Sequence, residues 1–161
     1  MPAIKTILVP TDFSAASERA LRYACDLADV FGASLHVIHV LENPFIPGGY
    51  MEMYAAPPGD YLESLDRQAR AHLDTVLTAE QKSRYSAELA LRSGAPAQQI
   101  LEYAKEHGAI DLVVISTTGR GGVARLVMGS VTNKIVRTAP CPVLTLHPHD
   151  RIETGTGHRA A

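Results

Sequence analysis

Ile7-Leu8-Val9-Pro10-Thr11-Asp12-Phe13-Ser14 is the stretch whose reading decides the fold class. Ile7 to Val9 is a continuous apolar run carrying β-branched residues, the pattern of a strand buried on both faces. Pro10 bounds the run, and Ser14 offers a side-chain oxygen suited to capping a helix. Ala20, Leu21, Ala24, Leu27, Ala28 and Phe31 then recur at helical spacing and form one stripe, with Cys25 at its edge. Gly32 stops the helix, and Leu35 to Leu41 makes a second strand.

The alternation continues along the chain. Residues 42–58 lack periodicity and hold Pro44, Pro47, Gly48, Gly49, Pro57 and Pro58, which reads as a long irregular loop. Helical spacing resumes from Asp60 to Leu77, with Tyr61, Leu65, Ala69, His72, Leu73 and Val76 on one face. Ala87 to Leu91 suits a third strand. Gly94-Ala95-Pro96 opens a helix that His107-Gly108 closes. Leu112 to Ile115 is the most apolar strand, a glycine-rich segment follows, and Ser130 to Thr138 is helical. Val143 to Leu146 is the last strand. Strands separated by helices throughout predict a single open, five-stranded parallel sheet with helices on both faces, a Rossmann-like α/β fold. Ligands in such folds bind outside the carboxyl ends of the strands, where the winding reverses. Pro10–Ser14 and Ser116–Thr132 are therefore the segments to read for function.

At 161 residues the chain fits one domain. Its formal net charge of −2 gives no electrostatic footprint for a nucleic-acid backbone or an anionic membrane. Cys25 and Cys141 are far apart and form no C-x-x-C pair, which suits a reducing compartment. The N-terminal stretch meets Asp12 too soon for a signal peptide, and no apolar run approaches a membrane span. The expectation is a cytoplasmic protein.

Ser116-Thr117-Thr118-Gly119-Arg120-Gly121-Gly122, followed by Gly129-Ser130-Val131-Thr132, reads as a phosphate cradle in two parts. Glycines let backbone approach a ligand closely, and a helix starting near Ser130 would aim free amides and a positive dipole end at an anion. Ser130 and Thr132 add hydroxyl donors. A P-loop is excluded because no lysine directly follows a glycine. Gly119-x-Gly121-x-x-Ala124 loosely matches a dinucleotide fingerprint, but the position that should be acidic falls at Leu144, inside the last strand.

Val9-Pro10-Thr11-Asp12-Phe13-Ser14, with Gly119 and then, after nine residues, Gly129-Ser130, resembles the universal stress protein family. His39-Val40, Gly94-x-Pro96 and Ala139-Pro140-Cys141-Pro142-Val143 extend the resemblance over Lys5 to Leu146. The nucleotide-binding branch of that family carries G-x2-G-x9-G-[ST]; here Ser116 stands at the first glycine, where it either crowds the sugar or offers it a hydroxyl. The resemblance implies an adenine nucleotide alpha hydrolase-like fold over residues 1–147; the polar, glycine-containing stretch 148–161 reads as a flexible tail. It implies a regulatory, stress-related protein binding ATP or AMP, with Mg2+ or Mn2+ carried by the phosphates. Pro10, Thr11, Asp12 and Val40 would border the adenosine; Ser116 would lie near the ribose; Gly119, Arg120, Gly129, Ser130, Val131 and Thr132 would surround the phosphates. It also implies a homodimer through Val143 to Leu146.

Several residues carry more than one reading. Asp12 either caps the first helix or binds ligand, and Ser14 as cap would free it. Arg120 suits phosphate neutralisation, while Arg125 stays open. His147 and His149 lack a third ligand at metal-binding spacing, and His36 and His39 face opposite sides of a strand. Both cysteines read as packing residues. Phe45, Tyr50, Met51, Met53 and Tyr54 form either a contact surface or lid, or a loop folded back on its own domain. No Ser/His/Asp arrangement or paired carboxylates near the glycine loop mark catalysis. A binding protein is thus the leading expectation. Its rivals are a slow ATPase or adenylyl-transfer enzyme, and a member acting through dimerisation alone, which Ser116 keeps open.

Overall fold

A computed structural model describes residues 3–42, 59–118 and 128–147. The expectations for residues 43–58, for Gly119, Arg120 and Arg125, and for the tail from 148 lie outside the described residues. The chain runs β1 (Thr6–Thr11), α1 (Ala15–Phe31), β2 (Ser34–Leu41), α2 (Gly59–Thr75), α3 (Ala79–Arg84), β3 (Glu88–Ser93), α4 (Pro96–Glu106), β4 (Leu112–Ser116), α5 (Ser130–Thr138) and β5 (Val143–Leu146).

The five strands form one sheet in the order β3-β2-β1-β4-β5, and every pairing is parallel. β1 is at the centre and buried along its whole length, which explains its unbroken apolar run. Side chains alternate between two cores. Ile7, Val9, Leu35, Val37 and Val114 meet Ala20, Leu21, Ala24 and Ala28 of α1 on one face. Leu8, Ile38, Val113 and Ile115 meet Ile100, Leu101 and Ala104 of α4 and Ile135 of α5 on the other. Small residues along α1 let its backbone lie close to the sheet. Each large side chain fully buried in these layers contributes about 1.5–3 kcal/mol.

α1 starts and stops where its end residues dictate. Ser14 is the N-cap, its hydroxyl accepting the Ser17 amide at 3.2 Å. Gly32 closes the helix in the left-handed conformation (φ 65°), which a side chain would disfavour. Phe31, expected on the buried stripe, is instead exposed, at the last residue of the helix. Among the described residues of α2, Ala69 and Leu73 are buried, whereas Tyr61 at the start of the helix is exposed. α3 was not expected from periodicity, since none of its residues is buried. A capping box holds it: the Thr78 hydroxyl accepts the Gln81 amide while the Gln81 side chain accepts the Thr78 amide.

The strand order fixes where the winding reverses. α1 carries the chain from β1 toward β2 across one face, and α4 carries it from β3 back over the other face to β4. Loops leaving the carboxyl ends of β1 and β4 therefore diverge to opposite sides, opening a crevice between them.

Candidate functional site

Thr11 ends β1 and Ser116 ends β4. The two strands pair Ile7 with Leu112 and Leu8 with Val113, so Thr11 and Ser116 stand equally far along their strands at the same rim. Asp12 follows Thr11 directly. Ser130 is brought to that rim from the other side: the Gly129 amide donates to the Thr117 carbonyl at 2.9 Å, and the Thr132 hydroxyl donates to the Ser116 carbonyl at 2.8 Å. Pro10, Thr11, Asp12, Ser116, Gly129, Ser130, Val131 and Thr132 thus share one edge of the molecule. Val40 joins them near the end of β2, buried on the face that also carries α4 and α5.

The amides of a helix's first turn have no acceptor within the helix, and Gly129, the residue before α5, supplies no side-chain cap. The first turn holds no acidic residue. The result is a small patch of donors and positive dipole suited to an anion. Gly129 approaches the Thr117 carbonyl closely; a Cβ there would sit 3.5 Å from it. Ser130 is exposed and Val131 half-buried, whereas Thr132 is buried. The Thr132 hydroxyl, expected to be available to a ligand, is engaged with the sheet instead, which leaves that residue its backbone amide.

Ser116 is likewise turned inward on its own loop. Its hydroxyl donates to the Thr118 carbonyl at 2.8 Å and accepts the Thr118 amide at 3.2 Å, a tight side-chain turn. The side chain that replaces the motif glycine therefore shapes the start of the glycine-rich segment.

On the β1 side the hydroxyls are fully connected. Ser17 donates to the Ser14 carbonyl at 2.9 Å, so Thr11, 3.1 Å from the Ser17 hydroxyl, donates to it. The Thr11 oxygen in turn accepts the Phe13 amide at 3.1 Å. Ser14 caps α1 as expected, but Asp12 is not thereby released: its Oδ1 accepts the Ser14 amide at 3.0 Å. A carboxylate held this way keeps a fixed orientation at the rim.

Sequence reading missed His39 and His72. The His39 ring lies 4.1 Å from that of Phe13, and the His72 ring stacks on its other side at 4.0 Å and 13°. Residues 13, 39 and 72 lie in the β1–α1 turn, β2 and α2, and only the spatial neighbourhood joins them. The histidines otherwise behave as read: His36 faces α4 and His39 the opposite side. Among the described residues no group of three His, Cys, Asp or Glu is placed to hold a metal ion. No helix among them is long and apolar enough to cross a membrane.

A doubly wound parallel sheet, with the loops after β1 and β4 leaving it on opposite sides, defines an open α/β protein. More particularly, the chain belongs to the universal stress protein family, whose model matches residues 3–147. A universal stress protein of Thermus aquaticus is 35% identical over 147 residues, covering 87% of this chain and 96% of that one. One from Methanocaldococcus jannaschii is 31% identical over 146 residues, covering 88% and 81%. Among solved structures, universal stress protein UspA from Lactobacillus plantarum superposes with a TM-score of 0.70 at 29% identity, covering 91% of this chain and 99% of that one. Two structures that share the fold were determined with nucleotides. One is a universal stress protein in complex with cAMP (TM-score 0.62, 24% identity, 91% and 98% covered). The other is the Archaeoglobus fulgidus protein in complex with dAMP (TM-score 0.57, 23% identity, 89% and 98% covered).

Proposed function

We propose that this protein binds an adenine nucleotide, ATP or AMP, across the β1–β4 crevice and acts as a regulatory, stress-related homodimer. The observation that carries the reading is the β1–β4 register, which sets Thr11 and so Asp12 beside the end of β4, to which the start of α5 is tied through the Gly129–Thr117 and Thr132–Ser116 bonds. Asp12 with Pro10, Thr11 and Val40 serves the adenosine, and Ser116 lines its ribose end. Gly119, Arg120, Gly129, Ser130, Val131 and Thr132 serve the phosphates. cAMP and dAMP, the ligands of the two related structures, share adenine, a sugar and one phosphate, the minimum such a divided site requires. A magnesium or manganese ion would travel with the phosphates, held by their oxygens and by water.

Dimerisation is assigned to β5. It is an edge strand, and Val143, Leu144 and Thr145 are only half-buried in the single chain, so a second copy would cover them. Sedimentation velocity should give a dimer for the parent protein and a monomer for Leu144→Lys.

Calorimetric titration of protein stripped of ligand, with ATP, AMP and adenosine, with and without magnesium, tests the binding reading. Asp12→Ala should weaken adenosine and ATP alike. A loss confined to the triphosphate would contradict the role of Asp12, and no binding of any of the three would overturn the proposal. Following product in the same samples separates a binding protein, which leaves ATP intact, from an enzyme that turns it over repeatedly.

A further inference from the structure

The geometry points to Phe13 as the positioning residue for Asp12, clamped between His39 and His72 so that α2 sets the affinity of the base-side turn. This inference rests on the nucleotide reading above. Phe13 has a left-handed backbone (φ 62°), a conformation unfavourable to any residue with a bulky side chain. Such an outlier persists only where its surroundings hold it, and it is a reason to look for a role. Here the surroundings are on both sides of the ring. His39 is itself buried and anchored: its Nδ1 lies 2.8 Å from the Thr11 carbonyl, which can only accept, so the ring donates. His72 closes the other side from α2.

Phe13 is the middle residue of the turn in which Asp12 Oδ1 accepts the Ser14 amide. The backbone angles at residue 13 decide whether that amide reaches the carboxylate. Holding the Phe13 ring therefore holds the Asp12 side chain, and the path from α2 to Asp12 is His72, Phe13 and the turn. An aromatic pair of this kind corresponds to about two- to tenfold in an equilibrium constant.

Substitutions at three positions test the clamp, by calorimetry with adenosine and with ATP. His72 is exposed, so its substitution spares the core. His72→Ala should weaken adenosine and ATP by the same factor, about two- to tenfold. His72→Phe, which keeps a stacking ring, should restore both. Phe13→Asn separates backbone from ring, because asparagine tolerates the left-handed conformation; it should weaken binding at least as much as His72→Ala. In an Asp12→Ala background, His72→Ala should add no further loss. Unchanged adenosine affinity in His72→Ala, a loss for ATP alone, or full additivity with Asp12→Ala would each overturn the clamp while leaving the nucleotide reading intact. Failure of the parent protein to bind adenosine or ATP would overturn both.

Discussion

The Thr132 hydroxyl donates to the Ser116 carbonyl at 2.8 Å, a buried bond that joins the second residue past the start of α5 to the last residue of β4. It fixes the height of the helix start above the sheet, and with it the aim of the α5 amides. Thr132→Val keeps the shape but leaves the Ser116 carbonyl without that donor. A lost buried partner costs about 1–3 kcal/mol, so the thermal midpoint should fall measurably. ATP affinity should fall more than adenosine affinity in the same variant, because the phosphate side is the side displaced.

Gly129→Val should separate folding from binding. A Cβ at Gly129 would lie in ordinary contact with the Thr117 carbonyl at 3.5 Å, and the backbone there (φ −55°) suits any residue. The fold should therefore persist, as circular dichroism and thermal melting would show. The new side chain would crowd the space before the α5 amides, and ATP binding should fall at least about tenfold, a change of 1.4 kcal/mol. ATP affinity equal to the parent's would remove Gly129 from the phosphate site.

Acid should weaken the fold through His36. Burial pushes its imidazole pKa below the ordinary value; the Glu88 carboxylate opposes that shift and His107 adds to it. The Nδ1 contact of 2.8 Å to the Tyr103 hydroxyl, and Tyr103's own donation to Glu88 at 3.1 Å, hold the ring within this cluster. A folded-state pKa below the unfolded one means that the unfolded chain binds the proton more readily. Above about pH 6.5 the group is neutral in both states and contributes no pH dependence. As pH falls through that value toward the folded pKa, stability is lost. Melting temperature followed from pH 7.5 to 5 should show this decline, and His36→Gln should reduce its slope. An unchanged slope in the variant would assign the acid sensitivity elsewhere.

The cysteines should be slow to alkylate in the native protein. Burial, with Asp26 and Asp29 nearby, pushes the Cys25 thiol up to about 11, and burial also raises that of Cys141. Thiolate is the reactive form, so at pH 7.5 iodoacetamide should label Cys25 far more slowly in buffer than in denaturant. Equal rates would mean that α1 opens readily from the sheet.

Elements with a buried face were legible in the sequence. β1 and β4 are buried on both sides and read as continuous apolar runs, and α1 shows its stripe from Ala20 to Ala28. Ser14 and Gly32 mark the ends of that helix because capping is a contact within a few residues. α3 escaped because it buries nothing, and its one signal was the Thr78–Gln81 capping pair. Phe31 and Tyr61 were misplaced for a related reason: spacing identifies a stripe, but not how far along the helix the sheet extends.

The glycine and hydroxyl spacing of the candidate site was equally visible, and the family follows from it. The state of each side chain was not. Asp12, Thr132 and Ser116 all appear in the sequence as available polar groups, yet each engages a partner in the fold.

By itself the sequence determined the alternation of strands and helices, the parallel sheet and the two segments that bear the motif, because periodicity and capping are read between near neighbours. Only the tertiary structure decided that Thr132 turns inward to Ser116, and that Phe13 lies between His39 and His72. Those contacts join residues far apart in the chain, and nothing in local spacing states which distant side chains share a hydrogen bond or a ring face.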